Sequence, residues 1–339
     1  MIVTSAENRF YLTGLRSSAG TLALTSDTAV LFIDFRYFEM ARQVEKVNGF
    51  VTVLLKKEGL QLAEFFAAHD VHTLYAEPGS LSVSRFRKYH EALPELHLTR
   101  DDRLERAILK QRECKDETEV RMMTEAQRIT DAAFAAILDF IRPGVTEKQI
   151  AAELEYRMKK EGADGLAFDT IALSGPATAL PHGQPSDRQV QAGEFVLMDF
   201  GASVGGYQSD MTRTVAVGSA DPLMREVYAT VLRAQRAALR MLGPGVQCCA
   251  ADRTAREIIE TGFPETFGHS LGHSLGVEIH EMPTLSSVCE RTLQPGMIVT
   301  VEPGIYLTGR FGVRIEDFVQ ITEDGIYNFT TSGKELLVL

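Results

Sequence analysis

Short apolar runs alternate with helical stretches over the first third of the chain. The runs at 21–25, 29–34, 50–55 and 71–75 are rich in β-branched residues and predict strands, whereas 37–47 and the stretch that ends at His69 have helical spacing. This alternation predicts a small α/β domain over residues 1–113. Its histidines are scattered without metal-ligand spacing, so we interpret them as surface or core-edge residues: His69, His72, His90 and His97.

The spacing of apolar residues becomes that of a long helix after the polar run 111–117. Apolar residues recur on one helical stripe from Val120 to Phe140, with acids in the first turn, which predicts a long amphipathic helix. A Pro-Gly step at 143–144 follows this helix, and Thr146 and Gln149 form the capping box of another. We therefore predict a second, α+β domain over residues 114–339.

The second domain repeats its own pattern. Pro143 and Pro244 each follow a helix and are 101 residues apart, while Asp199 and Glu302 each end an apolar, β-branched run and are 103 residues apart. Offsets that agree this well predict an internal duplication of a unit of about 100 residues. Each unit contains two helices and then strands that carry acids.

Each half of the repeat carries a second acid. Asp210 lies 11 residues after Asp199, across a glycine-rich turn that predicts a hairpin, and Glu316 lies 14 residues after Glu302. His273 lies between the two pairs. A cation between facing acids offsets their repulsion, so four carboxylates and an imidazole predict a paired-metal site.

Two motifs favour other enzyme classes but lack the context that those classes need. Asp-Phe-Gly at 199–201 matches a protein-kinase motif, yet no glycine-rich loop or His-Arg-Asp precedes it. Gly-x-Ser-x-Gly at 268–272 matches the serine hydrolases, yet the last histidine is His280 and no acid-then-histidine pair follows the serine. These glycines are better explained by a tight turn beside a ligand.

The amino-acid composition limits the classes of binding partner. The 339 residues carry 35 basic and 46 acidic side chains, and the net charge of −11 argues against nucleic acid. Because no apolar run approaches about 18 residues and no signal-peptide pattern opens the chain, we expect no membrane association and a cytoplasmic location. The cysteines form neither a disulfide framework nor a metal knuckle and are expected to be reduced: Cys114, Cys248, Cys249 and Cys289.

Taken together, these motifs closely resemble the pita-bread metallopeptidases, the family of the prolidases and Xaa-Pro aminopeptidases. The matching segments are 197–201, 206–214, 272–273, 278–281, 301–306 and 313–317, while 11–14 and 34–37 resemble the family's creatinase-like N-terminal domain. The resemblance covers the whole chain. It implies an α/β N-terminal domain followed by an α+β pita-bread catalytic domain with a pseudo-two-fold duplication.

The resemblance also implies a ligand set for two divalent metal ions per subunit. Asp199 would chelate one ion, Asp210 and Glu316 would bridge, and His273 and Glu302 would complete the second site. Oxygen-rich ligation with one imidazole suits Mn²⁺ or Co²⁺, with Zn²⁺ or Fe²⁺ as alternatives. A water shared by the ions would become a bridging hydroxide, the expected nucleophile.

Four residues would act on the substrate by the same resemblance. Glu302 would carry the water's proton to the leaving nitrogen, and His182 and His280 would hold the substrate and its oxyanion. Arg314 would orient carboxylates and substrate, although a plain ion pair is an equal alternative. Ser274 stands where the family commonly has glycine, and we expect the metal site to survive this small change.

The expected substrate is a peptide with proline at its second position. Dipeptide-restricted prolidases often carry an arginine after the His-Glu-x-Pro step, but this chain has Thr284 there and no arginine before Arg291. We therefore favour an Xaa-Pro aminopeptidase, with an Xaa-Pro dipeptidase as the alternative. A metal-free creatinase-like hydrolase or binding module would be expected to have lost ligands. A homodimer is implied by resemblance alone, and the sequence specifies neither the native metal nor the first substrate residue.

Overall fold

The chain divides into two units, Met1–Arg112 and Glu113–Leu339, in a computed structural model that describes residues 1–339. The first unit mixes short strands with helices, in the order β1 Ile2–Val3, α1 Ala6–Thr13, β2 Thr21–Leu24, β3 Ala29–Ile33, α2 Phe35–Asn48, β4 Val51–Leu54, α3 Glu58–Ala68, β5 Thr73–Leu74, α4 Val83–Ala92, β6 His97–Leu98 and α5 Arg103–Glu113.

A four-stranded sheet with the order β1-β2-β3-β4 organises the first unit. The first three strands are antiparallel, and β4 joins β3 in parallel after the crossover through α2. The strands predicted at 21–25, 29–34 and 50–55 are confirmed. The strand predicted at 71–75 is limited to Thr73–Leu74, because only these two residues pair with β6. The sequence pattern did not predict β1, α1, α4, β6 or α5.

The second unit contains four long helices and thirteen short strands. Their order is α6 Glu117–Ile137, α7 Glu147–Lys160, β7 Gly165–Leu166, β8 Ile171–Ser174, a 3₁₀ turn Gly175–Ala179, β9 Glu194–Phe200, β10 Ala202–Val204, β11 Tyr207–Gln208, β12 Met211–Val217, α8 Pro222–Met241, α9 Cys248–Gly262, β13 Gly272–Ser274, β14 Glu281–Leu285, β15 Ile298–Val301, β16 Gly304–Leu307, β17 Phe311–Arg314, β18 Asp317–Ile321 and β19 Ile326–Asn328.

Three of the four helices of this unit, α6, α7 and α8, begin at a residue whose side chain caps the first turn. Asp116 accepts hydrogen bonds from the first turn of α6 and forms a capping box with Glu119, while Asp221 caps α8 with proline in the first turn. The α6 helix ends at Ile137 rather than at the predicted Phe140. Residues 138–140 turn instead, and the amide of Phe140 donates to the carbonyl of Ile137.

The predicted repeat is visible as two helix-pair-plus-sheet halves. In the first half, α6 and α7 share a hydrophobic core with the sheet β12-β9-β8. In the second half, α8 and α9 share a core with the sheet β14-β13-β15-β18-β19. Each sheet is thus covered by its own helix pair and holds acids at its strand ends.

All four cysteines of the chain are free thiols. None of its helices combines the length and the apolar character that crossing a bilayer requires.

Candidate metal centre

The first acid pair lies where β9 turns back into β12. Asp199 is the penultimate residue of β9 and pairs with Thr212 in the antiparallel register, while Asp210 directly precedes β12. The two strands approach so closely that a methyl group on Gly201 would lie 1.9 Å from the carbonyl oxygen of Ser209. Only glycine fits there, and the tight approach holds both acids at one end of the sheet.

The second acid pair lies at the equivalent ends of β15 and β18. Glu302 directly follows β15, and Glu316 directly precedes β18. Val301 pairs with Asp317 across these two strands, which brings the chain positions of both glutamates to the same edge. The hairpin of β16 and β17 occupies the interval between the two glutamates.

Thr212 joins the two halves. Its carbonyl accepts the amide of Glu316 at 3.1 Å, and its hydroxyl donates to Glu316 Oε2 at 2.7 Å. These bonds place Glu316 of the second half beside Asp210 of the first.

His273 reaches the acids from β13. Its amide donates to the hydroxyl of Thr300 at 3.0 Å, and the same hydroxyl donates to Glu302 Oε1 at 3.0 Å. The imidazole Nε2 then lies 3.4 Å from Glu302 Oε1 and 3.7 Å from Asp210 Oδ2. Nδ1 is 3.1 Å from the carbonyl oxygen of Ser274, which suits an Nδ1–H tautomer with a free lone pair on Nε2.

Burial makes ionisation of these carboxyl groups unfavourable when no cation is bound. The pKa of Asp210 and the pKa of Glu316 are raised well above their usual range, first by burial and then by neighbouring carboxylates. Burial also raises the pKa of Glu302 to about 8, and burial with the nearby His280 lowers the pKa of His273 to about 4. The cluster therefore contains carboxyl groups that cannot all be ionised unless a cation compensates their charge.

The donor set fits divalent metal ions. One ligand atom each of Asp210, His273 and Glu316 lies within 4.8 Å of the others. In addition, Asp199 Oδ1 and Glu316 Oε1 are buried carboxylate oxygens without a hydrogen-bond partner. Buried oxygens of this kind are rarely left unsatisfied, and cations that accept carboxylate and imidazole ligands would satisfy them.

Arg314 is buried behind the first acid. Its Nη2 donates to Asp199 Oδ2 at 2.6 Å and its Nε donates to the hydroxyl of Thr212 at 3.0 Å. Its Nη1 donates to the phenol of Tyr306 at 2.8 Å and to the carbonyl of Pro181 at 3.3 Å. Arg314 therefore orients one carboxylate of the cluster and also contacts the segment that carries His182.

Two residues of this centre were missed from the sequence. Tyr306 Oη is 2.9 Å from His269 Nε2, so both side chains belong to the network of Arg314. Burial lowers the pKa of His269 to about 4 and raises the pKa of Tyr306 to about 12. His269 belongs to the Gly-x-Ser-x-Gly segment, whose sequence pattern gives a role to the serine and none to the histidine.

The two predicted substrate histidines lie outside the buried cluster. The rings of His273 and His280 are 4.5 Å apart in an edge-to-face arrangement, and His280 is exposed. His182 is also exposed, and its neighbour Pro181 contacts Arg314. The imidazole of His280 thus contacts that of His273, while His182 directly follows the proline whose carbonyl accepts from Arg314.

Comparisons with known proteins agree over both units. The model of metallopeptidase family M24 matches residues 121–323, and that of the creatinase/prolidase N-terminal domain matches residues 1–114. An uncharacterized peptidase of Bacillus subtilis, YqhT, is 39% identical over 100% of this chain and 95% of its own. The Xaa-Pro dipeptidase of Pyrococcus furiosus is 37% identical over 99% and 94%.

Solved structures show the same likeness. The Xaa-Pro dipeptidase from Bacillus anthracis has a TM-score of 0.95 at 38% identity and covers 100% of this chain and 94% of its own. The X-Pro aminopeptidase from Thermotoga maritima has a TM-score of 0.93 at 36% identity and covers 100% and 97%. The predicted α/β plus pita-bread architecture is confirmed. The chain belongs to metallopeptidase family M24, with a creatinase/prolidase N-terminal domain.

Proposed function

We propose that this metallopeptidase is a dinuclear metal-dependent aminopeptidase that hydrolyses the Xaa-Pro bond at the N-terminus of peptides. The observation that carries the proposal is the pair of buried, unsatisfied carboxylate oxygens, Asp199 Oδ1 and Glu316 Oε1, beside Asp210 and His273. A site so rich in acids, in a chain of this family, is suited to holding cations for hydrolysis.

The residues that would hold the cations are Asp199, Asp210, His273, Glu302 and Glu316. The mainly oxygen donor set favours Mn²⁺ or Co²⁺ over softer metals, with Zn²⁺ or Fe²⁺ as alternatives. Divalent ions bound there supply Lewis acidity and lower the pKa of water at the site.

The remaining chemistry falls to side chains of this chain. Glu302 accepts a proton from the attacking water and delivers it to the leaving nitrogen, a role that its position at the end of β15, 3.4 Å from His273, supports. His280 and His182 hydrogen-bond the substrate and its developing oxyanion. Arg314 fixes the carboxylate of Asp199 and, through Pro181, the segment of His182.

Proline at the second substrate position is supported by the named relatives, which include Xaa-Pro dipeptidases and an X-Pro aminopeptidase. The Xaa-Pro amide has no N–H to donate, so a site that does not depend on that donor can accept it. The preference for longer peptides rests on the missing arginine after Pro283. The next arginine, Arg291, lies seven positions beyond Thr284 and pairs with Glu113 Oε2 at 2.6 Å.

The second candidate is an Xaa-Pro dipeptidase. It is supported by the Xaa-Pro dipeptidases from Pyrococcus furiosus and Bacillus anthracis, which resemble the chain as closely as the aminopeptidase does. The homodimer implied by the family resemblance stays a prediction.

The test compares an Xaa-Pro-Yaa tripeptide, an Xaa-Pro dipeptide and an Xaa-Ala-Yaa control. The protein is stripped with a chelator and assayed before and after reloading with Mn²⁺ or Co²⁺. We expect cleavage of the tripeptide that depends on the added metal, with little cleavage of the control. Cleavage confined to the dipeptide would select the second candidate, and the absence of cleavage of either proline peptide after reloading would contradict both.

A further inference from the structure

A lysine is buried next to the histidine-bearing loop, which we define as residues 274–281. The side chain of Lys115 is 1% exposed, and its Nζ lies 3.0 Å from Glu281 Oε2, whose side chain is 5% exposed. The same Nζ donates to Ser274 Oγ at 3.3 Å. The ammonium therefore contacts both ends of the loop.

These two contacts flank the histidines of the metal centre. Ser274 directly follows His273, and Glu281 directly follows His280. The two imidazoles, seven positions apart in the sequence, lie with ring centres 4.5 Å from each other. The Lys115 ammonium thus connects Ser274, the neighbour of the proposed metal ligand His273, with Glu281, the neighbour of the proposed substrate ligand His280.

The rest of the loop is built around this ion pair. A methyl group on Gly276 would lie 2.8 Å from Lys115 Cε and 3.0 Å from either carboxylate oxygen of Glu281, so the loop packs directly on the pair. On the other side, the amide of Gln208 donates to the carbonyl of Gly276 at 3.0 Å, and its side chain donates to Val277 at 3.2 Å.

Lys115 itself is anchored by its backbone. Its amide donates to the carbonyl of Gly296 at 2.9 Å, just before β15, the strand that leads to Glu302. Asp116, the next residue, is the N-cap of α6. The lysine therefore extends from a fixed frame toward the loop.

We propose that Lys115 is a positioning residue that sets the separation of His273 and His280 by clamping the 274–281 loop through Glu281 and Ser274. A buried ion pair is strongly unfavourable to break from one side, because the remaining charge has no compensation. Loss of the lysine would therefore displace the loop at Glu281 and carry His280 with it. The inference rests on the proposed role of His280 in substrate binding.

Lys115→Met tests the clamp, because methionine fills much of the lysine stem without the charge. Supporting groups behind a metal site typically cost about 10- to 100-fold in activity when they are removed, and we expect a loss of that size. The loss should appear mainly in kcat, with a smaller change in KM. Ser274→Gly removes only the weaker 3.3 Å contact and should reduce kcat less.

A second measurement does not depend on turnover. Imidazole ¹⁵N resonances are recorded on the metal-free protein, and those of His280 are assigned as the signals lost in His280→Ala. We expect Lys115→Met to shift the His280 resonances. Leu154→Ala is the stability control, since Leu154 is fully buried in the core of α7, and it should leave those resonances and kcat unchanged at the same folded fraction.

Glu281→Gln approaches the same pair from the other side and is nearly isosteric. It should shift the His280 resonances in the same way, and it decides the question if Lys115→Met does not fold. Wild-type resonances and kcat in the folded variants would overturn the proposal. If the wild-type protein cleaves no proline peptide, the proposed function fails, while the resonances still show whether Lys115 positions the loop.

Discussion

The two halves of the second unit supply acids in the same way but differ in what surrounds those acids. Asp210 precedes β12 as Glu316 precedes β18, and Asp199 and Glu302 lie at the ends of the strands that pair with them. His273, however, comes from the second half alone. Duplication can therefore account for four carboxylates, while the imidazole is present in one half only.

Arg314 is the other asymmetric element. It belongs to the second half, yet its guanidinium binds Asp199 of the first half at 2.6 Å. Asp199 thus has a permanent cationic partner, whereas Glu302 contacts a threonine hydroxyl and lies near a neutral imidazole. Asp199 and Glu302, which occupy equivalent positions, therefore differ in chemistry because their neighbours differ. Glu302 is the acid better suited to exchange a proton.

Exchanging each of the two equivalent acids for its amide is the strongest test of this difference. Glu302→Gln should lower kcat by about 10²–10⁴-fold, because the proposed proton carrier is lost, and excess Mn²⁺ should not restore it. Asp199→Asn should bind metal more weakly and recover part of its activity in excess Mn²⁺. Steady-state kinetics against metal concentration measure both effects.

Glu323→Gln, in an exposed turn of the same unit, is the matched control and should behave like the wild-type protein. Equal metal rescue of the two amide variants would remove the distinction between the halves.

The two neighbouring imidazoles of the second half provide the next test. His280→Ala should keep its metal content near normal and lose about 10²–10³-fold in kcat, equivalent to about 2.7–4 kcal/mol, if it donates to the oxyanion. His273→Ala should lose metal, because it removes a proposed ligand. Elemental analysis of the purified variants, with His97→Ala of the first unit as control, separates the two roles. Metal loss in His280→Ala would refute its assignment.

The smallest expected effect concerns two close backbone approaches, one in each half. A methyl group on Gly201 would lie 1.9 Å from the Ser209 carbonyl, and one on Gly272 would lie 2.1 Å from the Thr300 carbonyl. Alanine at either position should lower the free energy of unfolding by about 1–3 kcal/mol through overpacking. Chemical denaturation measures the loss. Gly262→Ala, with open space around it, should be neutral or stabilising, and similar behaviour at all three sites would show that the approaches are not tight.

The sequence was most informative where the determinants are local. The capping box of Thr146 and Gln149 and the hairpin that joins Asp199 to Asp210 depend on residues a few positions apart, and both are observed. The offset of the repeated motifs also anticipated two similar halves, because duplication preserves spacing even where individual residues diverge.

Long-range contacts were not predictable in the same way. Arg314 meets Asp199 across 115 positions, and no periodicity encodes such a pair. His269 and Tyr306 were missed for the same reason, since they become recognisable only as members of the arginine's network. Lys115 looked like part of a polar connection, and only the fold brings it against Glu281.

The bond between Thr212 and Glu316 also bears on how the centre is made during synthesis. The proposed ligands lie between Asp199 and Glu316 in the sequence. Because synthesis begins at the N-terminus, Asp199 and Asp210 are made about a hundred residues before Glu316. Until then the first half holds two facing carboxylates without their partners. Domains generally fold as units, and here the unit that must be complete is the duplicated pair, not either copy. We therefore expect metal uptake to be a late event that follows the docking of both halves through that threonine.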